Sequence, residues 1–145
     1  MQRFRYSLQK ILDLREFELR QAEAELGKVN AQIAGYNEQL KTIASQKHTV
    51  QHSVDETHDV LFFANAHDYF ILLEQRKNFC MQQIALLEIE AEKRKEVVRA
   101  AMKKKKILEK LKEHRFADWK AENLKAEELV TDDVVTAKYN NLSAT

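Results

Sequence analysis

The sequence predicts an all-α chain folded as a long antiparallel two-helix coiled-coil hairpin. Three observations lead there. The 145 residues include two Gly and no Pro, whereas those two types together make up about 12% of an ordinary globular chain. Tight turns, strand meanders and phosphate-cradling loops all draw on them. What remains is rich in Leu, Ala, Glu, Lys and Gln, strong helix formers, with 32% charged residues. Apolar residues also recur every seven positions along two stretches. A helix keeps such a stripe facing one way only by supercoiling left-handedly about a partner.

The first arm is expected over about residues 7–59. One core line runs Leu12, Leu19, Leu26, Ile33, Leu40, Lys47, Val54, Leu61, and its companion runs Leu8, Arg15, Ala22, Val29, Tyr36, Ile43, Val50, Thr57. Thirteen of these sixteen positions are apolar. Ser7 is placed to cap the helix through a first-turn amide. At 1.5 Å per residue the arm spans roughly 80 Å. Gly27 and Gly35 each cost it about 1 kcal/mol relative to Ala, and two readings stand: tolerated drift with a slight bend, or close approach of a partner helix.

The turn is expected over about residues 60–66, where Leu61, Phe62 and Phe63 leave the first seam. Asn65 followed by Asp68 resembles a cap with a first-turn acid. The second arm, about residues 67–131, repeats the pattern. Its seam, counted from Phe63, runs on through Ala66, Phe70, Leu73, Lys77, Cys80, Ile84, Leu87, Ala91, Arg94, Val98, Ala101, Lys105 and Leu108, eleven of fourteen positions being apolar. Beyond Leu108 the register weakens, with Leu111, Phe116, Trp119, Leu124 and Leu129 loosely in phase. The β-branched, acidic run Val130–Thr136 lowers helix propensity, so a frayed tail is expected over 132–145. The whole, 1–145, reads as one hairpin domain whose second arm overhangs the N-terminus by about two to four turns.

Charge supports a fold-back. Residues 93–115 hold 11 basic and 3 acidic side chains. With the turn near residue 62, Arg99 to Lys106 lies opposite Glu18, Glu23 and Glu25, and opposed charges beside an antiparallel seam fix its register.

Catalytic signatures are absent: no glycine-rich phosphate loop, no paired-Cys motif, no nucleophile elbow. His48 and His52 are one helical turn apart without a third ligand and read as exposed polar residues. Cys80 falls on the seam, where a thiol serves as a small buried apolar group. Lys103 to Lys106 point around the whole helix and lack neighbouring stacking aromatics, so nucleic acid is not the expected partner. Tyr36, Phe62, Phe63, Tyr69 and Phe70 read mostly as hairpin packing, with Phe62 and Tyr69 candidates to face a partner. No cofactor, metal or enzymatic activity is expected. Without an apolar run there is no signal peptide or membrane span, and a single Cys fits a reducing compartment, so a soluble, cytoplasmic protein without direct lipid insertion is expected.

The run Phe4-x-Tyr6-Ser7-Leu8-x-x-Ile11-Leu12-x-Leu14-Arg15-x-x-Glu18 resembles the opening of the flagellar FliJ proteins, and the chain length and the Tyr69-x-x-x-Leu73-Glu74 segment are similar to that family. The resemblance implies an antiparallel hairpin similar to the central stalk of rotary ATPases, in the cytoplasmic part of the flagellar type III export apparatus. It implies that the end bearing both termini enters the hexameric export ATPase ring, promoting its assembly and activity. The body would reach the membrane export gate, and the protein would escort export chaperones. Ring-facing candidates are then Phe4, Arg5, Leu8, Phe116, Trp119 and Leu124; gate-facing candidates are Gln39, Ile43, Val50, Tyr69 and Leu73. Ile43, Val50 and Leu73 also lie on the seam. The same pattern also suits a generic coiled-coil scaffold or an injectisome stalk and, less well, a helical-arm nucleic-acid binder.

Overall fold

Asp59 decides where the chain turns. In the computed structural model, which describes residues 3–143, the chain forms α1 (Gln9–Glu56, 48 residues) and α2 (Val60–Ser143, 84 residues) and no strand among those residues. Only Thr57, His58 and Asp59 separate the helices. The Asp59 carboxylate accepts a hydrogen bond from the Leu61 amide at 3.0 Å, and its carbonyl accepts one from Phe63 at 3.2 Å. Asp59 is thus the N-cap of α2. The turn expected over 60–66, with Asn65 as cap, is corrected to 57–59. No described residue has a positive φ, which is why the connection manages without Gly.

At the other end the expected fraying at 132 is also corrected: α2 continues to Ser143, and Ala144 and Thr145 lie outside the described residues. Val, Thr and Asp each cost only a few tenths of a kcal/mol in a helix, and extending an existing helix needs no new nucleus. Thr131 returns its hydroxyl to the Glu127 carbonyl at 2.9 Å, replacing a competing turn with a bond inside the helix.

The sequence expectation is one domain over 1–145; the packing groups the chain into two compact units. Unit 1 takes the described residues up to Glu18 together with those from Ala101 onward, and unit 2 takes Leu19–Ala100. Unit 2 is an antiparallel helical hairpin. Its seam buries Leu19, Ala22, Val29, Ile43, Ala66, Leu73, Cys80 and Ala91, all of them on the two heptad lines. Ile43, Leu73 and Cys80 form its tightest cluster, with Tyr36, Leu40, Tyr69 and Phe70 packed around them. Near the turn the lines slip by one: Leu61 and Phe63 are exposed, and Phe62 is half-buried in their stead.

In unit 1 the start of α1 packs antiparallel on α2, burying Leu12 and Ala101 on the heptad lines, with Tyr6 as a buried residue ahead of the helix. Past Leu108 the seam does not dissolve. Half-buried residues continue at Glu109, Leu111, Lys112, Trp119 and Asn123, with Lys112 and Trp119 keeping the heptad spacing. From Leu124 to Ser143 every residue is exposed, about 30 Å of single helix and longer than the overhang expected.

Among the described residues the ion pairs do not cross between helices. Arg15–Glu18, Lys28–Glu25, Arg99–Glu96 and Lys105–Glu109 each join residues one turn apart on one helix. The pairing of Arg99 to Lys106 with Glu18, Glu23 and Glu25 is therefore corrected: on exposed flanks a partner one turn away is reached with less ordering than one across the seam.

Candidate partner-binding surfaces

Unit 1 carries an aromatic clasp. The extended residues ahead of α1 lie against α2 because Tyr6 donates its hydroxyl to the Leu108 carbonyl at 2.9 Å, with the Lys112 ammonium 6.0 Å from its ring centre. Lys112 also donates to Gln9 at 2.7 Å, and Arg115 donates to the Ser7 hydroxyl at 3.0 Å. The Ser7 hydroxyl thus serves α2 rather than the expected cap. This tether delivers Phe4 edge-on to Phe116, centroids 5.2 Å apart, and 5.7 Å from Trp119. Phe116 and Trp119 stack at 5.8 Å.

Of the ring-facing candidates, Phe4, Phe116 and Trp119 are therefore brought together. Leu8 is half-buried, Arg5 is exposed, and Leu124 is exposed beyond the clasp. A shallow groove of about 570 Å³ beside the tether gathers the cations Arg3, Arg5, Lys10 and Lys112. Sequence reasoning missed Tyr6 as the anchor, because heptad counting does not reach residues outside a helix. It also missed Ile11, Leu14 and Phe17, which project from α1 as exposed apolar residues.

In unit 2 the seam is only one side chain thick, so grooves open on both of its flanks. One, about 670 Å³, has Ile43 and Cys80 as its floor and Gln39, Gln46, Leu72, Arg76 and Phe79 as its walls. Phe79 stands 54% exposed, edge-on to Tyr36 at 6.4 Å. The Cys80 thiol donates to the Gln39 side-chain oxygen at 3.4 Å, which fixes that amide at the groove wall. The opposite groove, about 380 Å³, is bounded by Leu40, Lys47, Leu73, Lys77 and Met81.

The gate-facing candidates divide accordingly. Gln39 is exposed, while Val50 and Tyr69 are half-buried. Ile43 and Leu73 are buried in the seam, Leu73 to 1% exposure, and serve the core of the hairpin. The residues that face outward beside them are Leu72 and Phe79, one position before Leu73 and Cys80. His52 meets Glu56 at 3.1 Å, and among the described residues no three potential ligands gather where a metal ion could be held. No helix among those residues is long and apolar enough to cross a membrane.

No curated protein and no solved structure matches the chain. The family model described as flagellar FliJ protein matches residues 4–143, a span that takes in both helices, the turn and the clasp. The chain belongs to the FliJ family, non-catalytic components of flagellar type III protein export.

Proposed function

We propose that this chain acts as a stalk-like coupling element of the export apparatus. Unit 1 engages the hexameric export ATPase and promotes its assembly and activity. The groove of unit 2 receives a segment of the membrane export gate, so the protein sits in the cytoplasm against the inner face of the membrane at the flagellar base. The chain also escorts export chaperones there.

The observation that carries this reading is the aromatic clasp together with the bare helix beyond it. Phe4, Phe116 and Trp119 form a half-exposed aromatic cluster at the point where α2 loses its partner helix. Clustered aromatics supply large contact area with little entropy to lose. The exposed helix beyond Leu124 continues an already nucleated helix but is stabilised by little besides its own propensity, so a partner that covers it adds packing it lacks. A ring interior closing around this end would cover both. On the gate side, Gln39, Gln46, Val50, Tyr69, Leu72 and Phe79 are the residues that remain available once Ile43 and Leu73 are assigned to the core.

Stimulation of the purified ATPase by wild-type and Trp119→Ala chains tests the ring contact. Loss of stimulation with helicity retained by circular dichroism is expected. Full stimulation by the variant would remove Trp119 from the ring contact and the clasp from its proposed role.

A further inference from the structure

The seam is not the only heptad line on α2. On the outer face of its unit 1 portion, exposed residues recur at three- and four-residue steps. The first half of that line is basic around an apolar residue: Lys103, Ile107, Lys110. Its middle holds His114 and then the small residues Ala117 and Ala121. Its last part is acidic after an apolar residue: Leu124, Glu128, Asp132. At 100° per residue this line lies on the far side of the helix from Ala101, Lys105 and Leu108, so α1 does not cover it.

The charges on this face form no ion pair among the described residues, although Glu113 and Lys125 stand one turn from Lys110 and Glu128. Among the described residues, Lys103, Lys106, Lys110, Glu128 and Asp132 take part in no ion pair. The basic and acidic parts complement each other, yet they cannot meet within one molecule. From Lys110 to Glu128 is about 27 Å along one helix, beyond the reach of any side chain.

We infer that the partner of this face is a second copy of the chain, the two α2 helices packing antiparallel about a two-fold axis beside Ala117 and Ala121. The small residues let the helices approach closely at the axis. Each copy's Lys110 then faces Glu128 of the partner subunit, and its Lys106 faces Asp132 of the partner subunit. Ile107 and Leu124, 67% and 57% exposed in the single chain, gain cover. Two-fold symmetry makes every such contact twice. A parallel arrangement would set Lys103 to Lys106 against the same lysines, which like charge opposes. The inference rests on α2 alone and concerns the free chain: the pairing covers the same helix that the proposed ring contact uses, so the two copies separate before unit 1 enters a ring.

Charge reversal tests it. Mass in solution is measured for the wild-type chain, for Lys106→Glu/Lys110→Glu, for Glu128→Lys/Asp132→Lys, and for an equimolar mixture of the two variants. All four positions are exposed, so helicity stays at the wild-type level. At about 100 µM and low salt the wild-type mass is expected to be twice that of one chain, falling toward one chain as added salt screens the pairs. Each variant alone is expected at the mass of one chain, and their mixture at two. A wild-type chain that stays single, variants that dimerise as wild type does, or a mixture that fails to regain the doubled mass would each overturn the proposal.

Discussion

Leu72 and Leu73 are neighbours with the same side chain and opposite assignments, so truncating each to Ala separates the core from the surface beside it. Leu73 is 1% exposed within the Ile43–Cys80 cluster. Leu73→Ala removes the equivalent of about three methylenes, roughly 2–2.5 kcal/mol of transfer free energy. The cavity term is small, because a groove of about 380 Å³ already borders the site and its walls can close inward. The expected loss is about 2–3 kcal/mol, toward the low end for a buried Leu, which lowers the melting temperature of a chain this size by roughly 8 °C. Leu72, 40% exposed, gives up much less on truncation, and Leu72→Ala is expected to shift melting by under about 2 °C.

Binding should reverse that order. On the proposed gate contact, Leu72→Ala weakens binding of the purified gate protein by about 1–2 kcal/mol, five- to thirtyfold, in a chain that is still fully folded. Leu73→Ala, measured well below its lowered melting temperature, should bind nearly as the parent does. The two readouts are a melt followed at the helical dichroism band and a binding isotherm. A Leu73→Ala chain that melts like the parent while losing the gate protein would make Leu73 a contact residue and displace the seam by one position.

Two further substitutions test the same geometry. Gly27 and Gly35 lie inside α1, and a Cβ built on either meets nothing within 4 Å, so neither glycine is needed for the packing of α2 on α1. Gly27→Ala with Gly35→Ala is expected to stabilise the chain by about 2 kcal/mol through helix propensity and lost unfolded-state freedom; a lower melting temperature would show an unseen close approach. Tyr6→Phe deletes the bond to the Leu108 carbonyl and is expected to cost about 1 kcal/mol, read as faster amide exchange confined to residues 3–12. Unchanged exchange there would mean that the Phe4 cluster alone holds the tether.

Much of the fold is legible because a coiled coil encodes its interior in spacing. Leu12, Leu19, Val29, Ile43, Ala66, Leu73, Cys80 and Ala101 are all buried where heptad counting places them, since a period held over many turns leaves one face for the partner. Boundaries are harder. Leu61 continues the first line numerically, yet it belongs to α2, because Asp59 caps that helix two residues earlier. A side-chain cap outweighs one more apolar residue in phase, and no Gly or Pro marks the site. The helicity of the tail is hidden for a related reason: low propensity sums to little when a helix arrives already nucleated.

Function is less legible than fold because the two are written one residue apart. A two-helix seam has almost no depth, so the position before a core residue stands at the rim of a groove. Cys80 is 1% exposed while Phe79 is half in solvent, and Leu73 and Leu72 repeat the contrast. Spacing alone tells which line faces inward, but the rim is defined only when the partner arm's azimuth is known, and that depends on the turn. Heptad counting already puts Ile43 and Leu73 on the seam, and the packed arms show Leu72 and Phe79 as the outward set beside them. A stalk built this thinly can carry binding surfaces along its flanks without any loop to display them. In such a chain a shift of a single residue exchanges the part that holds the fold for the part that meets a partner.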